Sequence, residues 1–574
     1  MNRIAERRQR IPARWTVRPS DPGEDRLRSE LGIGRLLAAC LVERGLTDPG
    51  EAHRFLNPRL EDLHDPLRLP NCAEAVQVLL QAKERGERVF VHGDYDVDGI
   101  TSTAIWTRSL RRLGFDVFPH VPHRIKHGYG VQEEAVFHAM KQGAKVLLTC
   151  DCGSSANQAV SRAKQLGMKV VITDHHELGA QLPEADAFVN PHLEGHDYPF
   201  PHLSGAGVAF KVAQQVAVEL GARAEQFQRA FLDLVCLGTI ADVVPLVGEN
   251  RIFAHFGLKL LPQSKKKGIR ALLKVAEVQG EVRSYDVAWR LAPRINAAGR
   301  IDDAERALRL MLTEDEEEAQ EIAKELNELN EARRAEEQRI LEQALETLSE
   351  MDAESLPLLM VWAEEWHRGV VGIVAGRLCE QYNRPVFLAS VDAETGVAHG
   401  SARSPEVYDL HEALMQKRDL FLSCGGHARA AGFSASVEAL EAVREELLAH
   451  AQSVLKPEDL VPTVRATAEI TAEDVNHKSF IELEKLEPHG EANPRPLFLM
   501  RNVKFADFQP TSNPEHVRFQ ILAERPIFGI GFRSSHLFES LRPGDPVDLL
   551  VRASINRYNG NEYPQLLLEG LRRA

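Results

Sequence analysis

The chain has 574 residues, of which 44% are hydrophobic and 27% charged, a composition typical of globular proteins and not of disordered or fibrous chains. This length exceeds that of one ordinary domain and predicts three or four folded units. No apolar run approaches the roughly 18 residues that a membrane-spanning helix needs, and seven thinly spread cysteines argue against a disulfide framework, so we expect a cytoplasmic protein without a membrane segment.

The net charge of −15 is unfavourable for binding nucleic acid, because affinity for phosphate depends on Lys and Arg. However, residues 314–350 alone contain fourteen acidic and four basic residues, so one segment supplies most of the imbalance. The bulk charge therefore neither supports nor excludes a polyanionic substrate. At the other end, Met1–Arg18 is Arg-rich but lacks the apolar stretch of a secretory signal.

Between about residues 70 and 190, apolar runs typical of strands alternate with helical periodicity. The predicted strands are Val89–Val91, Asp116–Val121, Val146–Thr149 and Val170–Thr173. The predicted helices are Ala73–Arg85, Ile100–Leu113, Val131–Gln142 and Ser155–Leu166. This alternation predicts an α/β fold with a doubly wound parallel sheet. In such a sheet ligands bind outside the carboxyl ends of the strands.

The first of these strands is followed by His92, Asp94, Asp96 and Asp98. Acids at every second position repel one another, and hard divalent cations favour such a cluster of carboxylate oxygens. A neighbouring imidazole shifts the preference towards Mn²⁺, Fe²⁺ or Zn²⁺. The alternative is a polar turn with several capping acids.

Three more apolar stretches end in acids or histidines. Asp151 follows one strand, the next strand leads into Asp174, His175 and His176, and Leu232–Ile240, interpreted as a further strand, ends at Asp242. Each residue alone has a capping or surface explanation, but together they predict an active site at one sheet edge. Cys150 and Cys152 are interpreted as buried thiols, because a second thiol pair at zinc spacing is missing.

Farther along, Arg294 and Arg300 flank a predicted turn of small residues, where guanidinium groups either bind phosphate or pair with the acids that follow. The acidic segment 314–350 predicts a long, largely exposed helix. In a second α/β unit, Gly400–Ser404 and Cys424–Gly432 are predicted loops whose glycines let a ligand approach the backbone closely.

From about residue 456 the pattern changes to short strands separated by Pro, Asn and Gly, which predicts a small barrel of the OB type. Its aromatic and arginine side chains are suited to stacking with and holding a single strand, although most of the aromatics are expected in the core. They are Phe505, Phe508, Phe519, Phe532, Tyr558, Arg501, Arg518, Arg533 and Arg557.

The combined motifs resemble those of the DHH phosphoesterase superfamily, and within it the bacterial single-strand-specific 5′→3′ exonucleases. They are His92–Gly99, Asp151–Gly153, Asp174–His176, Ala241–Pro245, Ala292–Arg300 and Gly425–His427. The resemblance implies a DHH domain joined by an acidic helix to a DHHA1 α/β domain and then an OB-fold barrel. The expected segments are an N-terminal helical segment 1–55, the DHH domain 56–312, the connecting helix 313–352, the DHHA1 domain 353–455 and the OB-fold domain 456–574.

The resemblance also implies two divalent metal ions, Mn²⁺ or Mg²⁺. One metal would be held by Asp98, Asp151, His175 and Asp242. The other would be held by Asp96 and a shared Asp151, with either His92 or Asp94 completing the set. Catalytic roles fall to Asp94, to Asp174, which would orient its histidine neighbours, and to His176, which would face the scissile phosphate.

By the same resemblance, Arg124, Ser401 and Arg403 would bind the 5′-terminal phosphate, and Arg294, Arg300 and His427 the DNA backbone. The implied activity is release of mononucleotides from single-stranded DNA in repair and recombination. A 5′ phosphate on the substrate, a single-strand-binding protein, a helicase and a monomeric state are further expectations. The alternatives are another DHH enzyme, an oligoribonuclease or cyclic-dinucleotide phosphodiesterase, which would usually lack the terminal barrel, or a non-catalytic replication scaffold, which would lack metal ligands.

Overall fold

The structure, a computed structural model, describes residues 13–124, 130–558 and 560–574. The first twelve residues of the predicted N-terminal segment therefore lie outside the described part. The chain divides into two compact units. One contains residues 17–327 and 465–574, and the other contains residues up to 16 and 328–464.

The N-terminal segment packs against the far end of the chain. Asp21 caps the first helix by accepting a hydrogen bond from the amide of Gly23. Buried side chains of this segment, among them Leu36 and Leu41, share one hydrophobic core with Phe480 and Phe498. This gives the segment a structural role that the sequence did not reveal. Its elements are β1 (Arg14–Val17), α1 (Pro22–Leu31), α2 (Arg35–Glu43) and α3 (Pro49–Leu56).

The predicted doubly wound sheet is present. Its five parallel strands run in the order β3-β2-β4-β5-β6, and their interior positions are buried Val, Leu, Ile and Phe because helices cover both faces. The strands are β2 (Arg88–His92), β3 (Val117–His120), β4 (Ala144–Cys150), β5 (Lys169–Thr173) and β6 (Ala187–Val189). The helices are α4 (Cys72–Glu84), α5 (Val97–Arg112), α6 (Glu133–Lys141) and α7 (Asn157–Gln165).

A helical layer follows the sheet and corrects two predictions. The stretch Leu232–Ile240 is not a strand but the end of a helix that is buried almost all round, which hides the helical periodicity. The residues between Arg294 and Arg300 form a helix and not a turn, because Ala is a strong helix former and Pro293 lies in the first helical turn. The helices are α8 (Gly205–Glu219), α9 (Ala224–Ala241), α10 (Gly248–Leu260), α11 (Lys267–Val275), α12 (Ala292–Ile301) and α13 (Glu305–Leu312).

The acidic segment forms one helix of 35 residues, α14 (Glu316–Glu350), and three glutamates occupy its first turn, where the helix dipole favours them. The division between the two units falls within this helix, at residues 327 and 328. Its second half buries Ile340, Ala344 and Leu348 in the core of the second unit. The rest of the helix surface is largely charged, as the sequence predicted.

The second unit contains a mixed sheet in the order β10-β11-β9-β8-β7. The predicted loops at Gly400–Ser404 and Cys424–Gly432 are mostly strands. Gly400 is needed inside the sheet, because a Cβ there would lie 2.0 Å from the ring of Phe433 on the neighbouring strand. The elements are β7 (Leu359–Glu364), α15 (Val371–Tyr382), β8 (Val386–Asp392), β9 (Val397–Arg403), α16 (Leu410–Gln416), β10 (Ser423–Gly426), β11 (Ala430–Ser436) and α17 (Leu440–Val454).

The C-terminal strands form the predicted barrel, which closes because β14 pairs with both β15 and β17. Phe505 and Phe519 lie in the barrel core, whereas Phe532 and Tyr558 are exposed. Within the described ranges, no helix has both the length and the apolar character needed to cross a membrane. The elements are β12 (Thr463–Ala466), which pairs with β1, β13 (Ala468–Glu469), α18 (His477–Glu484), β14 (Phe498–Pro510), β15 (Val517–Ile521), β16 (Ile527–Gly531), β17 (Pro546–Tyr558) and β18 (Asn561–Arg573).

Candidate metal centre

The first three aspartates of the site lie in the turn between β2 and α5 and in the first turn of that helix. Asp96 is the N-cap of α5, and its carboxylate accepts a hydrogen bond of 3.0 Å from the amide of Gly99. Gly99 packs directly on Asp94, since a Cβ at this position would lie 2.5 Å from the backbone N and O of Asp94. The spacing of the motif therefore follows from a helix cap and a close backbone approach.

Asp98 is buried and is held by a helix N-terminus. Its Oδ2 accepts a hydrogen bond of 2.6 Å from the amide of Gly205, and its Oδ1 accepts one of 3.0 Å from the amide of Ala206. These amides belong to the first turn of α8, where the helix dipole stabilises an anion. This contribution is not evident from the sequence motifs, although Ser204 before Gly-Ala-Gly is a recognisable N-cap signal.

Asp151 follows β4 with a backbone φ of 60°, a left-handed conformation that is uncommon outside glycine. Its amide donates to the carbonyl of Thr173 at 3.0 Å, which fixes the turn. Its Oδ1 lies 3.1 Å from Nε2 of His175. A Cβ on Gly205 would lie 2.5 Å from the same oxygen, so the helix that binds Asp98 also confines Asp151.

Three carboxylates converge on one imidazole nitrogen. Nε2 of His175 lies 3.1 Å from Asp151, 3.6 Å from Oδ2 of Asp242 and 3.8 Å from Oδ2 of Asp98. Burial and the neighbouring His176 lower the pKa of His175 to about 4, so its ring is neutral at pH 7. A neutral imidazole cannot balance these carboxylates, so the cluster favours either protonated carboxyls or a bound cation.

Asp242 reaches this cluster from the C-terminus of α9, not from a strand end. An acid at a helix C-terminus is disfavoured by the helix dipole. Burial and the charge of Asp98 also raise the pKa of Asp242 well above its usual range. The position is therefore unfavourable for a carboxylate unless a cation binds beside it.

The other buried carboxyl groups of the site also have raised pKa values. Burial, followed by the charge of Asp96, raises the pKa of Asp94 to about 8 and that of Asp98 to about 7. Burial and Asp98 raise the pKa of Asp151 well above its usual value. Asp94 Oδ1, Asp151 Oδ1 and His175 Nε2 are buried atoms without a hydrogen-bond partner among the residues that the structure describes. Carboxylate and imidazole atoms left unsatisfied in this way fit a site for divalent cations.

Ligand atoms cluster in overlapping groups whose members lie within 4.8 Å of one another. Asp151 takes part in two of these groups. His92 belongs to none of these groups, and its ring centre lies 5.3 Å from that of His120. The groups found among the described residues are Asp98, His175 and Asp242; Asp94, Asp96 and Asp151; and Asp151, His175 and His176.

Asp174 organises the two histidines that follow it. Its Oδ1 contacts Nδ1 of His176 at 2.7 Å and accepts from the amide of His175 at 2.8 Å, while Oδ2 accepts from the amide of Ser154. Burial alone would raise the pKa of Asp174, but the hydrogen bond and charge of His176 hold it below its usual range. Burial alone would lower the pKa of His176, yet Asp174 raises it above its ordinary value.

Two of the predicted DNA-binding arginines of this unit, Arg124 and Arg300, lie near Tyr95 in the acidic turn. The guanidinium of Arg124 lies over the ring of Tyr95, 5.1 Å from its centre. Nε of Arg294 donates to Asn327 at 2.9 Å. Burial and the charge of Asp94 raise the pKa of Tyr95 to about 12, and the charges of Arg124 and Arg300 oppose this shift, so both arginines are near Tyr95.

Ser401 and Arg403 lie together on β9 of the second unit, where Nη1 of Arg403 donates to Oγ of Ser401 at 3.0 Å. Gly372 at the start of α15 packs on this pair, since a Cβ there would lie 2.8 Å from Oγ of Ser401. An arginine, a hydroxyl and a helix N-terminus together suit an anion. His427 is exposed in the hairpin between β10 and β11, and its amide donates to Ala430 at 2.9 Å.

The raised pKa values of Asp94 and Asp98 predict how pH and metal act on stability. A carboxyl whose pKa is higher in the folded state binds more protons in that state than in the unfolded chain. Its destabilising effect is therefore absent below the unfolded pKa near 4. The effect grows as pH rises to the folded pKa, which is about 8 for Asp94 and about 7 for Asp98. Metal ions bind the deprotonated forms and release these protons. We expect the rise in Tm produced by saturating Mn²⁺ to grow between about pH 6 and pH 8.

Thermal melts in Mn²⁺ and in EDTA across this range measure the effect. A metal-induced rise in Tm that is constant or falls with pH would contradict this electrostatic description of the site.

Comparisons with known proteins identify the domains of this chain. Three family models match: the DHH family, N-terminal domain, over residues 88–239; the DHHA1 domain over 355–455; and the RecJ OB domain over 467–570. The chain is 36% identical to the single-stranded-DNA-specific exonuclease RecJ of Bacillus subtilis, covering 97% of this chain and 70% of that one. It is 33% identical to RecJ of Escherichia coli, covering 93% and 95% of the two chains.

Solved structures give the same result. The crystal structure of Thermus thermophilus RecJ in complex with Mn²⁺ matches with a TM-score of 0.85 and 33% identity, covering 98% of this chain and 80% of that one. The structure of the same protein with Mg²⁺ matches with a TM-score of 0.79 and 32% identity, covering 98% and 78%. On this shared architecture and identity, the chain belongs to the RecJ family, whose curated members carry the name single-stranded-DNA-specific exonuclease.

Proposed function

We propose that this protein is a metal-dependent exonuclease that degrades single-stranded DNA from its 5′ end, releases mononucleotides and acts in DNA repair and recombination. The observation that carries the proposal is the convergence of Asp98, Asp151 and Asp242 on the neutral imidazole of His175, in a chain of the RecJ family. Buried carboxylates with strongly raised pKa values are typical of a functional site.

The site suits two divalent cations, and Mn²⁺ and Mg²⁺ are the ions present in the two Thermus thermophilus RecJ structures. Asp98, Asp151, His175 and Asp242 would hold one, and Asp94, Asp96 and Asp151 the other. We choose Asp94 over His92 for the second set, because Asp94 groups with Asp96 and Asp151 while His92 packs on His120. When bound, two such ions supply a nucleophile near neutral pH and neutralise charge on the phosphodiester.

Neighbouring residues orient the metal ligands before any ion binds. The amides of α8 orient Asp98, and the left-handed turn orients Asp151. Asp174 keeps His176 in one orientation and favours its protonated form, which suits an imidazole that donates to a phosphate oxygen. Among the described residues, every acid and histidine of the motifs is present, which argues against a non-catalytic scaffold.

Preference for a 5′ phosphate would come from Ser401 and Arg403 on β9 of the second unit. The corresponding role of Arg124 stays a prediction. We expect Arg403→Ala to reduce the ratio of kcat/KM for a 5′-phosphorylated strand to that for a 5′-hydroxyl strand by roughly 10- to 100-fold, since a hydrogen bond to a charged group is worth about 1.5–3 kcal/mol. Arg429→Ala is the matched control, because Arg429 is exposed and pairs with the exposed Glu406. An unchanged ratio in Arg403→Ala would reject this role.

The closed barrel supports binding of a single strand and disfavours the smaller DHH phosphodiesterases as alternatives. Contacts with a single-strand-binding protein and a helicase, and a monomeric state, stay predictions. A cytoplasmic location also stays a prediction, drawn from the seven cysteines, none of which forms a disulfide.

The test uses a 5′-phosphorylated single strand labelled at one end or the other, with the matching blunt duplex beside it and Mn²⁺ present. The proposal requires mononucleotides released progressively from the 5′ end of the single strand alone. Degradation from the 3′ end would reject the polarity while keeping the metal centre, and preference for dinucleotides over long strands would favour a smaller phosphodiesterase.

A further inference from the structure

Two large aromatic side chains are exposed side by side just before α12, the helix that contains Arg294 and Arg300. Tyr285 is 65% exposed and Trp289 is 64% exposed. Their ring centres are 6.3 Å apart, and the ring planes differ by 32°. Neither ring contributes to the buried core, so the pair forms a flat, tilted apolar surface facing solvent.

The backbone presents this pair rigidly. Val287–Leu291 is a π-helical turn, a form that is rare and frequent at functional sites, and it places residues 285 and 289 on one side. Ser284 Oγ donates to the carbonyl of His489 at 2.6 Å. Arg290 donates to the carbonyls of Ala276 and Glu277 at 2.6 and 2.8 Å. A fixed surface loses little conformational entropy when a ligand binds.

The same helical segment leads to the metal centre. It continues directly into α12, where Asn296 Oδ1 accepts a hydrogen bond from the amide of Val97 in the acidic turn. Gly299 lies against Tyr95, since a Cβ there would be 2.8 Å from the carbonyl of Tyr95. Trp289 is seven residues before Asn296, roughly 10 Å along the helix axis. This short separation would let a strand bound at the metal centre reach the aromatic pair within a few nucleotides.

The charge around the pair suits a polyanion. Residues 283–300 contain four arginines and one acid, Asp286, in a chain whose net charge is −15. Arg290 pairs with Asp286 at 3.2 Å, and Arg283 approaches Glu281 at 3.9 Å. Arg283 also lines a small cavity with His489 and Arg495, together with Glu484, Glu487 and the barrel residues 553–555, so a surface with charges of both signs continues towards the barrel within the same unit.

We propose that Tyr285 and Trp289 stack with bases of the bound single strand close to the metal centre, independently of sequence. This proposal rests on single-stranded DNA being the substrate. Exposed aromatic rings combined with arginines are the means by which proteins bind single strands without sequence preference. The pair would hold the strand upon its approach to the acidic edge while leaving the chemistry to the metal ligands.

The first test compares an oligo(dT) strand with a dinucleotide, which is too short to reach the pair from the metal centre. Trp289→Ala and Tyr285→Ala are expected to lower the ratio of kcat/KM for the long strand to that for the dinucleotide by roughly tenfold, mainly through KM. Trp289→Phe, which keeps a stacking ring, should lower the ratio far less. Phe137→Ala, at an exposed aromatic on α6, should leave the ratio unchanged.

The second test needs no catalysis. Among the tryptophans in the described part of the chain, Trp289 is the one with large exposure. Oligo(dT) added in EDTA should therefore quench the fluorescence of Trp289, and this quenching should be absent in Trp289→Phe. Equal quenching in Trp289→Phe would overturn the proposal. An unchanged ratio of kcat/KM for the long strand to that for the dinucleotide in Trp289→Ala, while the wild type degrades single strands, would also overturn it and would favour a protein partner for this surface. A wild type that shows the quenching but degrades no strand would instead reject the proposed function.

Discussion

Asp151→Asn is expected to lower kcat on single-stranded DNA by at least about 10³-fold, because the residue would serve both metal ions and their contribution is several kcal/mol. The same substitution should raise the Tm of the metal-free protein by a few degrees. Burial and the charge of Asp98 raise the pKa of Asp151, so the charged carboxylate destabilises the fold when no cation is bound. An amide of the same shape removes that charge.

Single-turnover assays in Mn²⁺ and thermal melts in EDTA measure the two effects separately. Asp197→Asn is the matched control, because Asp197 is an exposed surface acid paired with Arg68. Loss of activity accompanied by a lower Tm in EDTA would mean that Asp151 is a structural residue. The prediction of a lower kcat together with a higher Tm would then be wrong.

Gly205→Ala should reduce kcat by on the order of 10²-fold without unfolding the protein, since displacing a catalytic group by about 1 Å is sufficient for such a loss. Its new Cβ would lie 2.5 Å from Oδ1 and 2.6 Å from Cβ of Asp151, so the Asp151 side chain has to move. The amide of Gly205 also binds Asp98, and that contact would be disturbed in the same step. Alanine is otherwise favourable in a helix.

Gly207→Ala on the same helix is the control, because its Cβ would meet Leu203 at 3.3 Å and Phe253 at 3.5 Å but no metal ligand. We expect a small change in kcat for this variant. Equal losses of kcat in the two variants, or normal Mn²⁺ affinity in Gly205→Ala, would show that α8 does not position the carboxylates.

Much of the sheet and of the acidic edge could be predicted because their signals are local. The buried runs at Val89 and Val146 are too short for helices and are followed at once by polar residues, so strand ends could be recognised from spacing. Because ligands bind outside the carboxyl ends of parallel strands, Asp98, Asp151 and His175 are expected close together without any knowledge of distances.

What the sequence could not provide depends on contacts between distant segments. The sequence pattern places Asp242 at a strand end, because residues 231–240 of the preceding helix are buried on all sides and have no polar face to reveal the helical period. The amides of Gly205 and Ala206 reach Asp98 across more than a hundred residues. Gly400 resembles a loop residue until Phe433 is seen to occupy the space beside it. Side-chain identity alone carries none of this information.

The most direct measurement of the central claim is the number of Mn²⁺ ions bound per chain, determined by equilibrium dialysis near pH 8 with the wild type and Asp151→Asn. A centre in which Asp151 is shared predicts two ions for the wild type and a loss of binding at both sites in the variant. One ion for the wild type, or a variant that retains both, would contradict a shared two-metal centre at this sheet edge.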